Sequence, residues 1–473
     1  MHEMEILEFS KFQIHAKIKK MNTHIVISYI TSLKKKINLR TQSFFQSPIV
    51  KNFFIYSFGH VILRSISIII MPFALALLSP SQYGLLSLAI SFANIFIVFL
   101  SFGLRQVFAI EYFHHDAQGQ KKILNEIITL FIFFALPVLL MLSFNMQKIN
   151  SIIFIGQASS QLIAATLIFC FFYFFSELFY QVLQYQCKAF ELTVLQSSVA
   201  VLTILTNIAF LFLLGWGIEG MMVGYIIGLL IVFCIGAKQY IQHKYYESLD
   251  IKKNLSLFFH YLKAGFPFIP NILFSWLLSY GNRWILAHYA SLHDVGIFAL
   301  ADTFSSLYQM LIIYPLSCSY LPILFKRYAE NKNNLSATEC WNKKNMYMCM
   351  IVMASIITIG YTVCKPLALK ILPLKYHPAL NYGWFILMGN IFLMGATFAS
   401  SLIQFYKKTY FLALAICVPA LLNVALNMLL IPRWAIYGSV WATMASYICY
   451  FALILAYNYR LIRANPPDNP IQH

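Results

Sequence analysis

Few ionisable side chains interrupt the long apolar runs of this 473-residue sequence, and those few are where any chemistry would be done. Arg64 follows His60 by four residues, a spacing that puts both on one face of a helix. Arg283 lies on a later apolar run, and Asp302 on the run after it. Glu177 sits within a third run, and Arg105 and Glu111 flank the end of a fourth. A charged side chain at the centre of a bilayer costs roughly 2.5–3.5 kcal/mol on insertion scales, so each should face protein or water. Two readings compete at every position. Arg64 lines a water-filled cavity or belongs to a buried structural ion pair. Arg283 is open to the same choice, with Asp302 at similar depth as the carboxylate that would neutralise it. Asp302 and Glu177 are the acidic groups deep enough to bind a proton or cation. Arg105 and Glu111, near an interface, are placed to snorkel. His60 reads as a packing residue as readily as a ligand. Trp276, Trp284, Trp384 and Trp441 suit packing or an interfacial belt better than sugar stacking.

The elements that carry these residues follow from composition. The chain is 60% hydrophobic and 11% charged, with mean hydropathy +0.71. A soluble domain would carry charge on roughly 25% of its residues, so this chain belongs in a bilayer. The net charge of +18 does not indicate nucleic acid, because the basic residues form short clusters between apolar runs rather than a contiguous basic domain. The nine cysteines form no CxxC pair and lack His-rich neighbours, so neither a disulfide nor a metal site is expected.

Residues 1–50 read as a basic cytoplasmic tail, with Met21 as an alternative start to Met1. From Asn52 about twelve spans of bilayer length follow. Those that matter below are 52–78, 123–146, 264–289, 295–324, 345–372, 409–431 and 437–462. Helices are expected because every lipid-exposed backbone group must be bonded within its own segment. The polar break at 242–263 separates a first lobe at 51–241 from a second at 264–463, and 464–473 form a C-terminal tail. Placing both termini in the cytoplasm puts Lys121, Lys122, Lys188, the 238–263 cluster and Lys326 inside, a ratio of roughly five to one over the outside loops.

The halves share a pattern. Ser79-Pro-Ser-Gln-Tyr83-Gly84-Leu85 resembles Ser291-Leu-His-Asp-Val295-Gly296-Ile297, and Leu-Ala follows each at the same spacing. Gln184-Tyr185 matches Gln404-Phe405, and Asn207 before Gly220 matches Asn423 or Asn427 before Gly438. An even number of spans separates the copies, so the repeats run parallel, and a cavity between the lobes is the natural path. Gly84 and Gly296 read as tight-turn or close-packing residues.

Walker A, HExxH and GxSxG motifs are absent from the sequence. The stretch through Gly84 with Phe102-Gly103-Leu104-Arg105, then Gly265-Phe-Pro-Phe-Ile-Pro270 through Trp276, Asn282-Arg283-Trp284 and Val295-Gly296-Ile297, resembles the bacterial polysaccharide-unit flippases. These are O-antigen translocases of the multidrug/oligosaccharidyl-lipid/polysaccharide (MOP) exporter superfamily. Asn282 departs from the acidic residue expected before the arginine.

The resemblance covers about 52–460 and implies an all-α polytopic membrane protein. Its helices, about twelve in number, would form two parallel six-helix lobes around a central cavity with alternating access. The implied substrate is an oligosaccharide linked by pyrophosphate to undecaprenol, flipped across the bacterial cytoplasmic membrane during surface polysaccharide synthesis. Arginine binds phosphate oxygens bidentately and stays charged when buried. Arg64 and Arg283, with His60 and Arg105, are therefore carried as candidate head-group contacts, and Asp302 and Glu177 as candidate coupling-ion sites. No catalytic residue, metal or cofactor is expected. The expected partners are the lipid-linked substrate, membrane lipids and other polysaccharide-assembly proteins, with the chain itself a monomer. The alternatives are a cation-coupled multidrug exporter of the same fold and, in another class, a membrane glycan polymerase or ligase.

Overall fold

The computed structural model describes residues 71–186, 188–242, 251–331 and 335–464. The chain divides into two units, Met1–His60 and Val61–His473, and everything below concerns the second. His60, Arg64 and the 1–50 tail lie outside the described residues.

Among the described residues there are helices and turns but no strands. A helical segment at 71–77 leads into α1 (Pro80–Ser101), α2 (Leu104–Glu111), α3 (Ala117–Ser143), α4 (Met146–Ile153), α5 (Ser160–Tyr185), α6 (Ala189–Ile208) and α7 (Gly217–Gln242). After these come α8 (Ile251–Gly265), α9 (Ile269–Tyr289), α10 (Leu292–Tyr308), α11 (Tyr314–Glu330), α12 (Leu335–Ile371), α13 (His377–Ala399), α14 (Ser401–Phe405) and α15 (Thr409–Ala464). Eight helical stretches among the described residues are long and apolar enough to cross a membrane.

The boundaries differ from the sequence reading where caps override hydropathy. The third span begins at 117 rather than 123, because Asp116 caps α3 by accepting a hydrogen bond from the Gly119 amide at 2.9 Å. The ninth begins at 335 rather than 345, so its first turns are polar. Residues 251–263 of the expected linker are themselves helical, within α8, and a 3₁₀ turn at Phe266–Phe268 joins that helix to α9. The eighth span changes to a π turn at Gln309–Ile313 before α11. The two last spans are not separated by a loop. α15 runs for 56 residues, broken only at Ala435, where φ 45 and ψ −123 make a one-residue corner.

The duplicated stretches turn out to be helix caps. The Ser79 hydroxyl accepts from the Gln82 amide, and the Gln82 side chain accepts from the Ser79 amide at 2.9 Å, a complete capping box at the start of α1. At α10 the Ser291 hydroxyl accepts from the Asp294 amide at 3.1 Å and donates to the Asp294 carboxylate at 2.8 Å. Both caps start helices whose fifth residue is glycine, and the two glycines face each other. A Cβ on Gly84 would overlap the Leu292 carbonyl oxygen and lie 2.8 Å from the Gly296 nitrogen. A Cβ on Gly296 would overlap the Pro80 carbonyl oxygen. In a bilayer, helices associate by close packing rather than by escape from water, and a glycine pair permits the closest approach.

The seam between the lobes continues down α1. Midway, the Trp276 and Trp284 indoles of α9 donate to the Ser91 carbonyl and hydroxyl, each at 3.0 Å. At its far end Gly103, with φ 76, meets Gly265; a Cβ on Gly103 would lie 2.8 Å from the Gly265 oxygen. Leu85, Leu88 and Phe92 of α1 share one buried core with Leu286, Val295 and Phe298 of α9 and α10.

Candidate functional site

Among the described residues, each lobe holds one internal arginine–carboxylate pair beside this seam. In the first, Arg105 at the start of α2 donates an Nη2–H to Glu177 of α5 at 2.8 Å, with side chains 23% and 28% exposed. In the second, Arg283 of α9 donates an Nη2–H to Asp302 of α10 at 2.7 Å, with side chains 9% and 20% exposed. The Tyr280 ring lies 4.7 Å from the Arg283 guanidinium carbon, a cation–π contact that supports the buried charge. In both pairs one nitrogen meets one oxygen, and neither Nε has a hydrogen-bond partner among the described residues. Each guanidinium therefore retains donors beyond those its carboxylate uses.

These geometries sort the sequence-level candidates. Asp302 neutralises Arg283, the pairing weighed against a free cavity arginine. Asn282, which departs from the expected acid, instead donates to the Thr443 hydroxyl at 3.3 Å. The carboxylate therefore comes from the next helix rather than from the neighbouring residue. Arg105, placed to snorkel by its position alone, reaches inward to Glu177. The acidic groups named for ion binding are thus both occupied by arginine. Arg64 and His60 are not described, so their relation to either pair is not part of this site.

Near the pairs lies a cavity of about 580 Å3. Residues 71–78 and helices α5, α6 and α7 wall it, and Thr303 and Leu307 of α10 close its side. None of the four paired residues lines it. Their neighbours do: Tyr173 and Tyr180, one turn either side of Glu177, and Thr303, next to Asp302. Tyr83, from the first repeat stretch, and Tyr225 of α7 bring the phenols to four. Gln196, Thr203 and Asn207 form a polar stripe along α6. This stripe was missed in reading the sequence, although spacings of seven and four put its members on one helical face. Hydroxyls, amides and phenol rings offer donors, acceptors and flat apolar faces without net charge, which suits a polyhydroxylated ligand.

The sequence profile of the family described as "Polysaccharide biosynthesis protein" matches residues 49–328. No curated protein sequence matches the chain. Among solved structures, the lipid II flippase MurJ in an inward closed conformation is similar with a TM-score of 0.59 and 19% identity, over 80% of this chain and 85% of that one. An inward-facing multidrug resistance MATE family transporter of the MOP superfamily is similar with a TM-score of 0.62 and 12% identity, over 83% and 90%. A MOP superfamily transporter from Pyrococcus furiosus has a TM-score of 0.55 and 12% identity, over 88% and 96%. At such identities the likeness is one of fold.

Proposed function

Because the chain belongs to the polysaccharide biosynthesis protein family of MOP-superfamily flippases, we propose that it flips an undecaprenyl-pyrophosphate-linked oligosaccharide across the bacterial cytoplasmic membrane. The observation that carries this reading is a cavity of about 580 Å3, uncharged and mainly apolar but set with phenols, amides and hydroxyls, lying beside two arginines with unused donors. Tyrosines, Gln196, Thr203 and Asn207 would take the sugars. A pyrophosphate carries at least two negative charges, and arginine is the side chain that holds such a group while remaining ionised in a low-dielectric site. The lipid tail stays in the bilayer throughout. In this reading the Gly103 end, with Lys121, Lys188 and Lys263, faces the cytoplasm together with both termini, and the Gly84 end faces out. Alternating access then means that the two ends of the α1 seam open in turn.

The similarity to multidrug transporters favours a second reading, cation-coupled export on the same fold. Glu177 and Asp302 weigh against it, because each already has an arginine as counter-ion. The enzyme alternative, a glycan polymerase or ligase, draws no support from the family or its structural neighbours, which are transporters.

A deletion strain is the test. It should lose surface polysaccharide and accumulate lipid-linked repeat units on the inner face of the membrane. Wild-type surface polysaccharide in that strain would overturn the proposal. Complementation with Arg64→Ala should restore protein level but not export; normal export would remove Arg64 from the binding site without touching the function.

A further inference from the structure

The second lobe holds a buried acid away from the seam. Glu339, in the first turns of α12, is 1% exposed. Unlike Glu177 and Asp302, it has no lysine or arginine within ion-pair distance among the described residues. Neutral donors from three helices hold it instead. The Tyr328 hydroxyl of α11 donates to its Oε2 at 2.6 Å, and the Asn342 amide, one turn along α12, donates to the same oxygen at 3.2 Å. The Asn458 amide of α15 donates to Oε1 at 3.3 Å and, at 2.7 Å, to the Ala399 carbonyl at the end of α13. Tyr328, Asn342 and Asn458 are themselves fully buried.

A carboxylate taken out of water without a cation is costly, and a proton removes its charge. The neutral acid then needs an acceptor for its own O–H. One stands beside it: the Asn458 Oδ1 is buried and without a hydrogen-bond partner among the described residues. It belongs to the amide whose nitrogen now faces Glu339, so turning that amide exchanges donor for acceptor. A metal ion suits the site poorly, because all three groups aimed at the carboxylate present N–H or O–H. The other polar groups on the packed helices leave the acid to these contacts. On α11, Tyr320 donates to the Asn342 amide oxygen at 2.9 Å, and the Arg327 guanidinium carbon lies 3.8 Å from the centre of the Trp341 ring. Lys343 of α12 acts on the acid through space, and Ser401 of α14 stands beside Tyr328. Arg460 and Arg463 of α15 are exposed.

We infer that Glu339 is a proton-binding site and that Asn458 is the switch it controls. With the acid ionised, Asn458 Nδ2 bridges Glu339 Oε1 and the Ala399 carbonyl, tying α15 to both α12 and α13. A proton from water adds to Oε1, and the side chain loses its negative charge. The new O–H donates to Asn458 Oδ1 once the amide has turned. That turn sets Oδ1 against the Ala399 carbonyl, where two acceptors repel, and the bond between α15 and α13 is lost. Water is close, since the adjoining Cys340 is exposed. The inference concerns this junction alone and holds whatever substrate the chain moves.

Full-length protein in detergent, followed by infrared difference spectroscopy from about pH 8 down to pH 5, tests this. The protonated-carboxyl band should grow as the pH falls, and the growth should be smaller by one carboxyl in Glu339→Gln. The glutamine copies the protonated state, with its Nε2–H donating to Asn458 Oδ1. Amide exchange across 396–404, corrected for its intrinsic pH dependence, should therefore rise about fivefold with acid in the wild type, the loss of one ordinary hydrogen bond. In Glu339→Gln it should be high at both ends of the titration. If Glu339→Gln fails to fold, Tyr328→Phe removes one donor to the ionised acid and should move the onset of the band up by about one pH unit. A band that is the same in the wild type and these variants would overturn the inference and make the network a fixed clamp. A band that follows Glu339 without any change in exchange would overturn the switch. Sodium added at fixed pH should alter neither reading; loss of the band on adding sodium would overturn the proton site in favour of a metal site.

Discussion

At one end of the α1 seam, Gly84 and Gly296 meet within two regular helices, and the nearby Arg283–Asp302 pair is 9% and 20% exposed. At the other end, Gly103 meets Gly265 at a bend where Phe102 and Gly103 both take left-handed angles, φ 47 and 76. The pair there, Arg105–Glu177, is 23% and 28% exposed. Hydrogen bonds cross both ends: the Tyr376 hydroxyl donates to the Leu78 carbonyl at 3.2 Å and the Lys375 Nζ to the Ala76 carbonyl at 3.0 Å at the first, and the Tyr261 hydroxyl of α8 donates to Glu126 of α3 at 2.6 Å at the second. The same parts, a glycine contact and an arginine–carboxylate pair, thus serve different mechanics. The Gly84 end is a helix-on-helix contact that, once the Tyr376 and Lys375 bonds break, can part by rigid-body motion with no change of backbone angles. Opening the Gly103 end would have to break a buried hydrogen bond and disturb a turn already at unusual angles. In the proposed cycle the first end is a seal between regular helices and the second a latch at a strained turn.

The largest effect should come from adding one carbon to the seal. Gly84→Ala or Gly296→Ala puts a methyl into a backbone carbonyl, which cannot swing aside as a side chain would. The two helices would have to separate by on the order of 1 Å to regain van der Waals distance. Transport should fall to near background at normal protein level, and cysteines placed at the start of α10 should become accessible to a membrane-impermeant maleimide. Unchanged transport and labelling would show that this end is not sealed through its glycines. Gly103→Ala makes the sharper comparison. It adds the strain of a left-handed Cβ, roughly 1–2 kcal/mol, to a milder contact, and should slow transport without abolishing it.

Next in size is Arg283→Ala, which strands the Asp302 carboxylate in the second lobe. Removing one member of a buried pair typically costs about 3–5 kcal/mol, so the variant should unfold at a clearly lower temperature in detergent. The double variant Arg283→Leu, Asp302→Leu removes the uncompensated charge and should recover most of that stability. If Arg283 contacts the substrate, export stays absent in the double variant. Recovery of both stability and export would reduce the pair to a packing element.

Much of this architecture was legible in the residues themselves. Low charge and long apolar runs required membrane helices, and the duplicated Ser-to-Gly stretches marked corresponding corners of two lobes. Those stretches proved more informative than a repeat alone would suggest, because each is a helix cap followed by the glycine that lets the copies touch. What the single chain could not show was partnership across distance. Arg105 and Glu177 are 72 positions apart, and nothing local to either reveals the other. Depth alone made Arg105 look interfacial. For Arg283 the partner was within reach of the sequence: Asn282 takes away the neighbouring carboxylate, and Asp302, at similar depth on the next helix, supplies it. The linker hid α8 because its lysines lowered the hydropathy without breaking the helical pattern.

The smallest expected effect tests whether depth is what separates the two pairs. Arg105→Ala leaves Glu177 partly in contact with solvent, where an ion pair contributes about 1 kcal/mol or less. Its thermal shift should therefore be a fraction of that for Arg283→Ala. It should also shrink as salt rises from 0.01 M to 1 M, since the Debye length contracts from about 30 Å to about 3 Å. The Arg283→Ala shift, arising in a site with little access to ions, should barely respond to salt. Equal shifts with equal salt dependence would mean that both pairs see the same environment in the working protein. The structural difference between a buried pair near the seal and a wetter one near the latch would then have no energetic counterpart.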